Sequence, residues 1–450
     1  MLKMIKKIPV LRKILKYGYR RFPRVGYFFF QMLTNRDQLI DLATDKEIEE
    51  FHIHLRLGSK GKKRVLFLST YPFEIPRHGG PIRCRALVDQ YEKKGYSCIP
   101  FIIREEDQYR SESRSCHEVI YPEASKYRMY KRYWVPAVTD YTSGIFALEN
   151  SRVYHAIKRR INAPIDVIHI EQPWLFKFAE KLTNDFPEMS QSKLVYGSQN
   201  IEHKLKDEIL NAFKVEKNII NEVNLDIQEL ELYAAKRADI VLAVSATDQK
   251  FLEEETHRKV ILAPNAACQR SININVIQSW KQKLPEKFFI FIAGAHIPNF
   301  IGFSSILAGF NDILPTETKI VVVGSIVSSL NKFDSDKLIK IGIVSNEDLS
   351  AILSLAHAVL IPITLGGGTN LKTAEALLSG KYVISTRIGF RGYDQYANAE
   401  GVYLSENAKD FQLNMKQVWY QPAADFSHFR GNDLTWDHAF KTFFEELNNG

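Results

Sequence analysis

The stretch Ala358-Val-Leu-Ile-Pro-Ile-Thr-Leu-Gly-Gly-Gly-Thr-Asn-Leu-Lys-Thr-Ala-Glu375 decides the reading of this chain. An apolar segment of strand length, Ala358 to Ile361, passes through Gly366, Gly367 and Gly368 into a segment of helical spacing. Glycines let a backbone approach a ligand closely, and the N–H groups that open the next helix form an anion site. A diphosphate suits that position. Lys372 and Glu375 fall on one helix face, offering a cation for phosphate and a carboxylate for ribose hydroxyls. Taken alone, these residues fit a glycine turn with a surface ion pair equally well.

The same strand, turn and helix order recurs outward from this point. In the second half, apolar strands are expected at Phe288 to Ala293, Lys319 to Val323, Ile339 to Ile343 and Tyr382 to Ser385. Ser345 with Asp348 reads as a capping box before a helix that runs to about Leu355. The first half carries strands at Arg64 to Thr70, Cys98 to Ile103, Ile165 to Ile170, Lys193 to Tyr196 and Ile240 to Val244, with Gly79-Gly80 opening an amphipathic helix. Such alternation predicts an α/β fold with parallel sheets covered on both faces. Pro264 to Lys287 lacks a core pattern and reads as a linker. The expected organisation is a basic N-terminal extension over 1–60, a first Rossmann-like domain over 61–265, a second over 284–430 and a terminal segment over 431–450, with one amphipathic helix from Thr435 to Leu447.

A chain of 450 residues, 45% hydrophobic and 25% charged, is sized for two cores and argues against wholesale disorder. Cys84, Cys98, Cys116 and Cys268 show no CxxC spacing, which favours a reducing compartment. The net charge of +8 is local, because Met1 to Arg36 carries ten basic residues and no acid, leaving −2 for the rest. That concentration excludes a uniformly basic nucleic-acid binder. No apolar run is long enough to span a bilayer, and Pro9, Arg12, Lys13 and Lys16 interrupt any secretory core, so a cytoplasmic protein is expected. In the arm, Leu2, Ile5, Ile8, Leu11, Ile14 and Leu15 recur near helical spacing among lysines, a pattern suited to an anionic membrane surface. Packing of the arm against the folded domains is the alternative.

Gly366 to Gly392, with Glu375-Ala376, Gly380-Lys-Tyr-Val-Ile384 and Gly389-Phe-Arg-Gly392, resembles the C-terminal signature of the family-four (group 1) retaining glycosyltransferases. The resemblance extends through Phe291-Ile-Ala-Gly-Ala-His-Ile-Pro-Asn299, Gly342-Ile-Val344 and Ala356-His-Ala-Val-Leu-Ile-Pro362, and in the first half through Gly79-Gly80, Asp166-Val-Ile-His-Ile-Glu171, Gln199-Asn-Ile-Glu202 and Ala238 to Ser245. It implies the GT-B fold, in which two Rossmann-like domains face each other across a cleft, the second holding a nucleoside-diphosphate sugar and the first a glycan or lipid-linked acceptor. Implied donor groups are Gly294, Val344, Gly366, Gly367, Gly368, Thr369, Asn370, Lys372 and Glu375. Implied acceptor groups are His78, Gly79, Gly80, Trp134 and Glu202. His169 and Glu171, read as following a strand on a cleft-facing loop, join Lys372 as catalytic candidates. The implied role is polysaccharide biosynthesis with retained anomeric configuration.

One departure matters. The family pairs two glutamates, and the position of the first is Gly367 here, so the chain resembles a variant subgroup with a GGGT entry; the usual basic pair after Gly294 is also missing, which leaves Lys372 to supply the charge. A catalytically silent sugar-nucleotide-binding or scaffold protein is therefore the rival reading, and a sugar-nucleotide epimerase a lesser one. Asp334-Ser-Asp336 resembles a metal-binding DxD but reads as a solvated loop, so neither metal nor cofactor is expected. The aromatic and basic residues from Tyr121 to Tyr141 could stack on sugars or bases, with core packing as the default and no nucleic-acid partner expected.

Overall fold

Strands apolar on both sides must be covered on both faces, and the chain builds two such sheets. The computed structural model describes residues 39–449 except 56–60, 77–78, 107–114, 123–124, 269–272, 296, 331–332, 334, 366–368 and 428–431. The basic arm, His78, Asp334 and the three glycines from Gly366 to Gly368 lie outside the described residues. Two units form. One runs to Ala243 and takes in Lys250–Ile261; the other comprises Val244–Gln249 and the chain from Leu262 onward.

The first unit is built on β1 (Ile40–Asp41), β2 (Arg64–Ser69), β3 (Ser97–Glu105), β4 (Glu118–Tyr121), β5 (Val167–Glu171), β6 (Lys193–Ser198), β7 (Ile240–Ala243) and β8 (Ile261–Leu262), ordered β1-β4-β3-β2-β5-β6-β7-β8. From β4 to β7 the neighbours pair in parallel, and β1 joins β4 antiparallel. Numbered from β2, the six central strands follow the order 3-2-1-4-5-6, the doubly wound arrangement whose direction of winding reverses between β2 and β5. Helix α1 (Asp45–Ile53), α2 (Gly79–Lys93) and α3 (Glu202–Ala212) belong to this unit. Its core gathers Leu66, Leu68, Phe101, Ile168 and Ile170 from the strands with Phe146, Ile157 and Phe178 from covering helices.

The extension expected over 1–60 is folded onto this unit in its described part. Thr44 accepts from the Glu47 N–H at 3.2 Å while Glu47 accepts from the Thr44 N–H at 2.8 Å, a full capping box that starts α1. Asp41 on β1 holds the buried Arg160 at 2.5 Å and Arg159 at 2.9 Å. Strand β4 went unpredicted because its Glu118 looks like a surface residue; it is buried and paired with Arg104 at 2.5 Å.

The second unit contains β9 (Phe289–Ile292), β10 (Ile320–Val323), β11 (Leu338–Gly342), β12 (Ala358–Ile361), β13 (Tyr382–Thr386) and β14 (Val402–Ser405), ordered β11-β10-β9-β12-β13-β14 and parallel throughout. This is again 3-2-1-4-5-6, with the reversal between β9 and β12. Helix α4 (Ile297–Leu307) follows β9 and α5 (Leu371–Leu378) follows β12. On one face Phe291 stacks on Phe303 at 4.2 Å; on the other, Ile290, Val359 and Ile361 meet Ala374 and Leu377.

Three expectations need correction here. The presumed linker from Pro264 to Lys287 belongs to the second unit: Ala267 bridges to Thr435, and Trp280 in the helix Ile274–Lys281 donates to Asp348 at 2.8 Å. The terminal helix is two helices, Trp436–Ala439 and Lys441–Asn449, separated at Phe440, whose φ of −101° and ψ of 4° break the helical run while its ring packs on Trp436. Ser345 does cap its helix, accepting from the Asp348 N–H at 3.1 Å, but Asp348 answers the Ser345 hydroxyl rather than its backbone N–H.

Helix α4 approaches the end of β12 closely because Gly302 has no side chain: a Cβ there would lie 1.7 Å from the Pro362 carbonyl oxygen. Gly302→Ala should therefore destabilise the second unit by about 2 kcal/mol, the cost of forced overpacking. Urea denaturation measures this, and an unchanged midpoint would contradict the close approach.

Candidate functional site

In a doubly wound sheet the helices leave opposite faces at the reversal, which opens a crevice at the carboxyl ends of the two flanking strands. Each unit has one such point.

In the second unit it lies between the ends of β9 and β12. Asn370 caps α5, its carboxamide oxygen accepting from the Lys372 N–H at 3.2 Å, and Thr373 ties the first turn to the Gly389 carbonyl at 2.6 Å. Lys372 and Glu375, both half-buried, line one small cavity with Ile292, Val359 and Ile361. The Lys372 amine donates to Asn299 Oδ1 at 2.9 Å, and Asn299 Nδ2 donates to the Gly294 carbonyl at 2.9 Å. Burial pulls the Lys372 pKa down to about 8, against the opposing pull of Glu375. The hydroxyls of Thr364 and Thr369, either side of the glycines, are buried and have no hydrogen-bond partner among the described residues. Gly342 ends β11 at φ +87°, its carbonyl accepting from the Gly324 N–H at 2.7 Å, and Ile343 beside it is 80% exposed, an apolar surface next to the half-buried Val344. The structure thus links Gly294 to Lys372 through Asn299, a residue not singled out from sequence, and sets Glu375 beside Lys372 in one cavity.

In the first unit the reversal lies between β2 and β5, and it is filled. His169 and Glu171 lie within β5 rather than on a loop, and both side chains are fully buried. His169 stacks on Phe67 at 4.9 Å, with Nδ1 2.9 Å from the Tyr91 hydroxyl and Nε2 3.1 Å from Glu171. A carboxylate only accepts, so Nε2 carries the proton and Nδ1 accepts from Tyr91. Burial lowers the His169 pKa and favours this neutral form despite Glu171. Burial also opposes the charge of Glu171, but Arg83 at 3.2 Å, His169 and the Gln199 Nε2 donor at 2.7 Å outweigh it and hold its pKa below the ordinary value. The strand glycine Gly197 makes room, since a Cβ there would sit 2.0 Å from a Glu171 oxygen. Both side chains are thus closed off from solvent within the strand, where the sequence reading expects a cleft-facing loop.

The expected acceptor groups divide similarly. Gly79 and Gly80 open α2, and Gly80 admits the Tyr71 hydroxyl and Gln199, which a Cβ would meet at 2.7 and 3.0 Å. Glu202 opens α3 but is buried, accepting from Gln172 at 3.0 Å and Asn200 at 3.2 Å. Burial and then Glu231 raise its pKa to about 7 against the pull of Lys206. Gln172 has φ of +68°, rare for a non-glycine residue, and its side chain is held between Glu202 and the Trp174 indole at 3.2 Å. Trp134 is half-buried, while Tyr121, Tyr127, Tyr130 and Tyr133 near it are buried and Lys131 pairs with Glu222 and Asp226, so this segment is mainly core. Among the described residues no His, Cys, Asp and Glu group could hold a metal ion, and no helix is long and apolar enough to cross a membrane.

Residues 286–419 match the family described as glycosyl transferases group 1. The matched segment contains the whole second-unit reversal, and it supports the glycosyltransferase class. No curated protein sequence matches the chain. Sucrose-phosphate synthase from Thermosynechococcus elongatus has a similar structure over 86% of this chain and 99% of its own, with a TM-score of 0.63 at 14% identity. HepE from Anabaena in complex with UDP covers 86% and 100% at a TM-score of 0.55 and 12% identity. The UDP-forming α,α-trehalose-phosphate synthase from Burkholderia xenovorans, in complex with glucose-6-phosphate, covers the same shares at 0.55 and 11%. Likeness at such identity shows the fold: two Rossmann-like parallel-sheet domains, the GT-B architecture.

The buried pair in the first unit makes a direct prediction. Glu171→Gln leaves the Arg83 guanidinium without its buried counter-charge and should cost roughly 3 kcal/mol of stability. A variant as stable as the parent by urea denaturation, yet inactive, would return Glu171 to direct chemistry.

Proposed function

We propose that the chain transfers a sugar from a nucleoside diphosphate to a glycan or glycolipid acceptor with retained configuration and without a metal ion. The observation that carries this reading is the half-buried Lys372 and Glu375 pair on the first turns of α5, in the crevice where an open α/β sheet binds ligands. Lys372 and the helix N-terminus would take the diphosphate, Glu375 the ribose hydroxyls, and the apolar edge at Ile343 and Val344 the base. As the sugar–phosphate bond breaks, charge develops on the departing diphosphate, and these groups are placed to stabilise it. The acceptor hydroxyl forms the new bond and gives up its proton to the leaving group. No side-chain nucleophile is assigned.

UDP occupies HepE, and UDP-2-fluoro glucose is bound in a structure of similar fold from E. coli, so UDP-sugars are the first donors to test. Gly367 in place of a carboxylate favours a second reading, binding of the sugar nucleotide without transfer. Transfer and nucleotide release across a panel of nucleoside-diphosphate sugars separate the two, since binding of UDP with no turnover on any donor would support the silent protein.

For the transferase, Glu375→Gln should raise the donor KM roughly ten- to hundredfold, the loss of one charge-assisted hydrogen bond. Unchanged donor affinity would remove Glu375 from the site. Activity should persist in EDTA, and a loss restored by manganese or magnesium would overturn the metal-free mechanism.

The basic arm extends the proposal to a cytoplasmic enzyme held at an anionic membrane, each lysine or arginine near such a surface being worth about 1 kcal/mol. Full-length protein should co-sediment with anionic vesicles and be released by salt. Equal binding to neutral vesicles would argue against it.

A further inference from the structure

Asn299 is buried, with 6% of its surface exposed, and it spans two segments that meet at the reversal between β9 and β12. Its two partners fix its orientation chemically. The Gly294 carbonyl can only accept and the Lys372 ammonium can only donate, so Nδ2 must face Gly294 and Oδ1 must face Lys372, as the 2.9 Å distances on each side show. A long, flexible side chain is thereby tied at its tip to the first turn of α4, the helix after β9, while its root sits on the helix after β12. The tie uses one of the three N–H groups of the ammonium.

Resting on the donor-site reading above, we propose that Asn299 is the positioning residue for Lys372: it holds the amine in the crevice and leaves two N–H groups for the diphosphate of the donor. The observation distinguishing this from ordinary helix-end packing is that Asn299 caps no helix through its side chain and makes both of its bonds to groups of the candidate donor site. A neutral partner is also what the task requires. The charged group acting on the amine is Glu375, one turn along α5, and a second carboxylate at position 299 would compete with phosphate for the cation. Aspartate there would in addition set a carboxylate oxygen against the Gly294 carbonyl, and leucine would keep the volume while removing both bonds.

The test is a double-mutant cycle on donor-side binding, read by calorimetry with UDP. Asn299→Leu should weaken UDP about tenfold and raise the donor KM by a similar factor, with the acceptor KM little changed. Lys372→Met should weaken UDP at least as much. In the Lys372→Met background, Asn299→Leu should have no further effect, because it acts only through the amine. Two independent, additive losses would overturn the proposal, as would an Asn299→Leu protein that binds UDP like the parent.

A second measurement does not need a nucleotide. The pH dependence of Lys372 labelling by an amine reagent, followed by mass spectrometry, should shift upward in Asn299→Asp and change in rate in Asn299→Leu. Identical labelling in parent and both variants would refute the tie even if a variant is poorly folded in other assays. If the parent itself fails to bind any nucleotide while labelling still depends on position 299, the donor reading falls and the Asn299–Lys372 tie stands.

Discussion

The constraint on which the structure depends is the reversal of winding in each parallel sheet. Strand pairs β2 with β5 and β9 with β12 send their following helices to opposite faces, so the space beyond their carboxyl ends cannot be covered by a crossover connection. Whatever the chain places there must satisfy its own polar groups or leave them for a ligand. Gly80, Gly197, Gly302 and Gly324 follow from the same crowding, because at each a Cβ would lie within 3.0 Å of a neighbouring atom.

The charged residues at these points show what burial demands. Arg83 and Glu171 are out of water together, and the desolvation each suffers is met by the other and by His169 and Gln199. Such an arrangement stabilises only while complete, and it holds the Glu171 carboxylate within the sheet, beside Gly197. Glu202 solves the same problem differently: with Glu231 nearby and Lys206 as its opposing charge, its pKa rises to about 7.

Much of this was legible in the sequence. Apolar runs of strand length mark β2, β3, β5, β6 and β7 in the first sheet and β9 to β13 in the second, since such strands need no surface pattern. Strands without such a run are harder to see. Strand β4 carries Glu118, whose burial depends on Arg104 fourteen residues away in sequence, and β14 has only half-buried side chains at Val402, Tyr403 and Leu404. The capping box Thr44 to Glu47 is a readable signal for α1. At the sites, spacing placed Lys372 and Glu375 correctly on one face, but it could not tell that β5 keeps His169 and Glu171 inside. Periodicity two along a strand assigns both to the same side without saying whether that side meets solvent or a helix such as α2. Asn299 and Gln199 were similarly hidden, because an amide declares its role only through partners distant in sequence.

The two reversals share a topology and differ in electrostatics, and the difference bears on where a ligand belongs. In the first unit the polar groups near Gly80 bond to one another: Arg83 Nε to Glu171, His169 to Tyr91 and Glu171, and Gln199 to Tyr71 and Glu171. In the second, the cation Lys372 has a neutral amide as its hydrogen-bond acceptor, burial already lowers its pKa to about 8, and the hydroxyls of Thr364 and Thr369 are buried without partners among the described residues. Unsatisfied buried donors cost free energy that a polar ligand would recover. An anion rich in oxygen acceptors would do so while also restoring the full charge of the amine, since a nearby negative group favours the protonated form. The two reversals thus bury charge in different company: the first sets a carboxylate among an arginine, a histidine and an amide, whereas the second sets an amine against a neutral amide, with Glu375 one helical turn away.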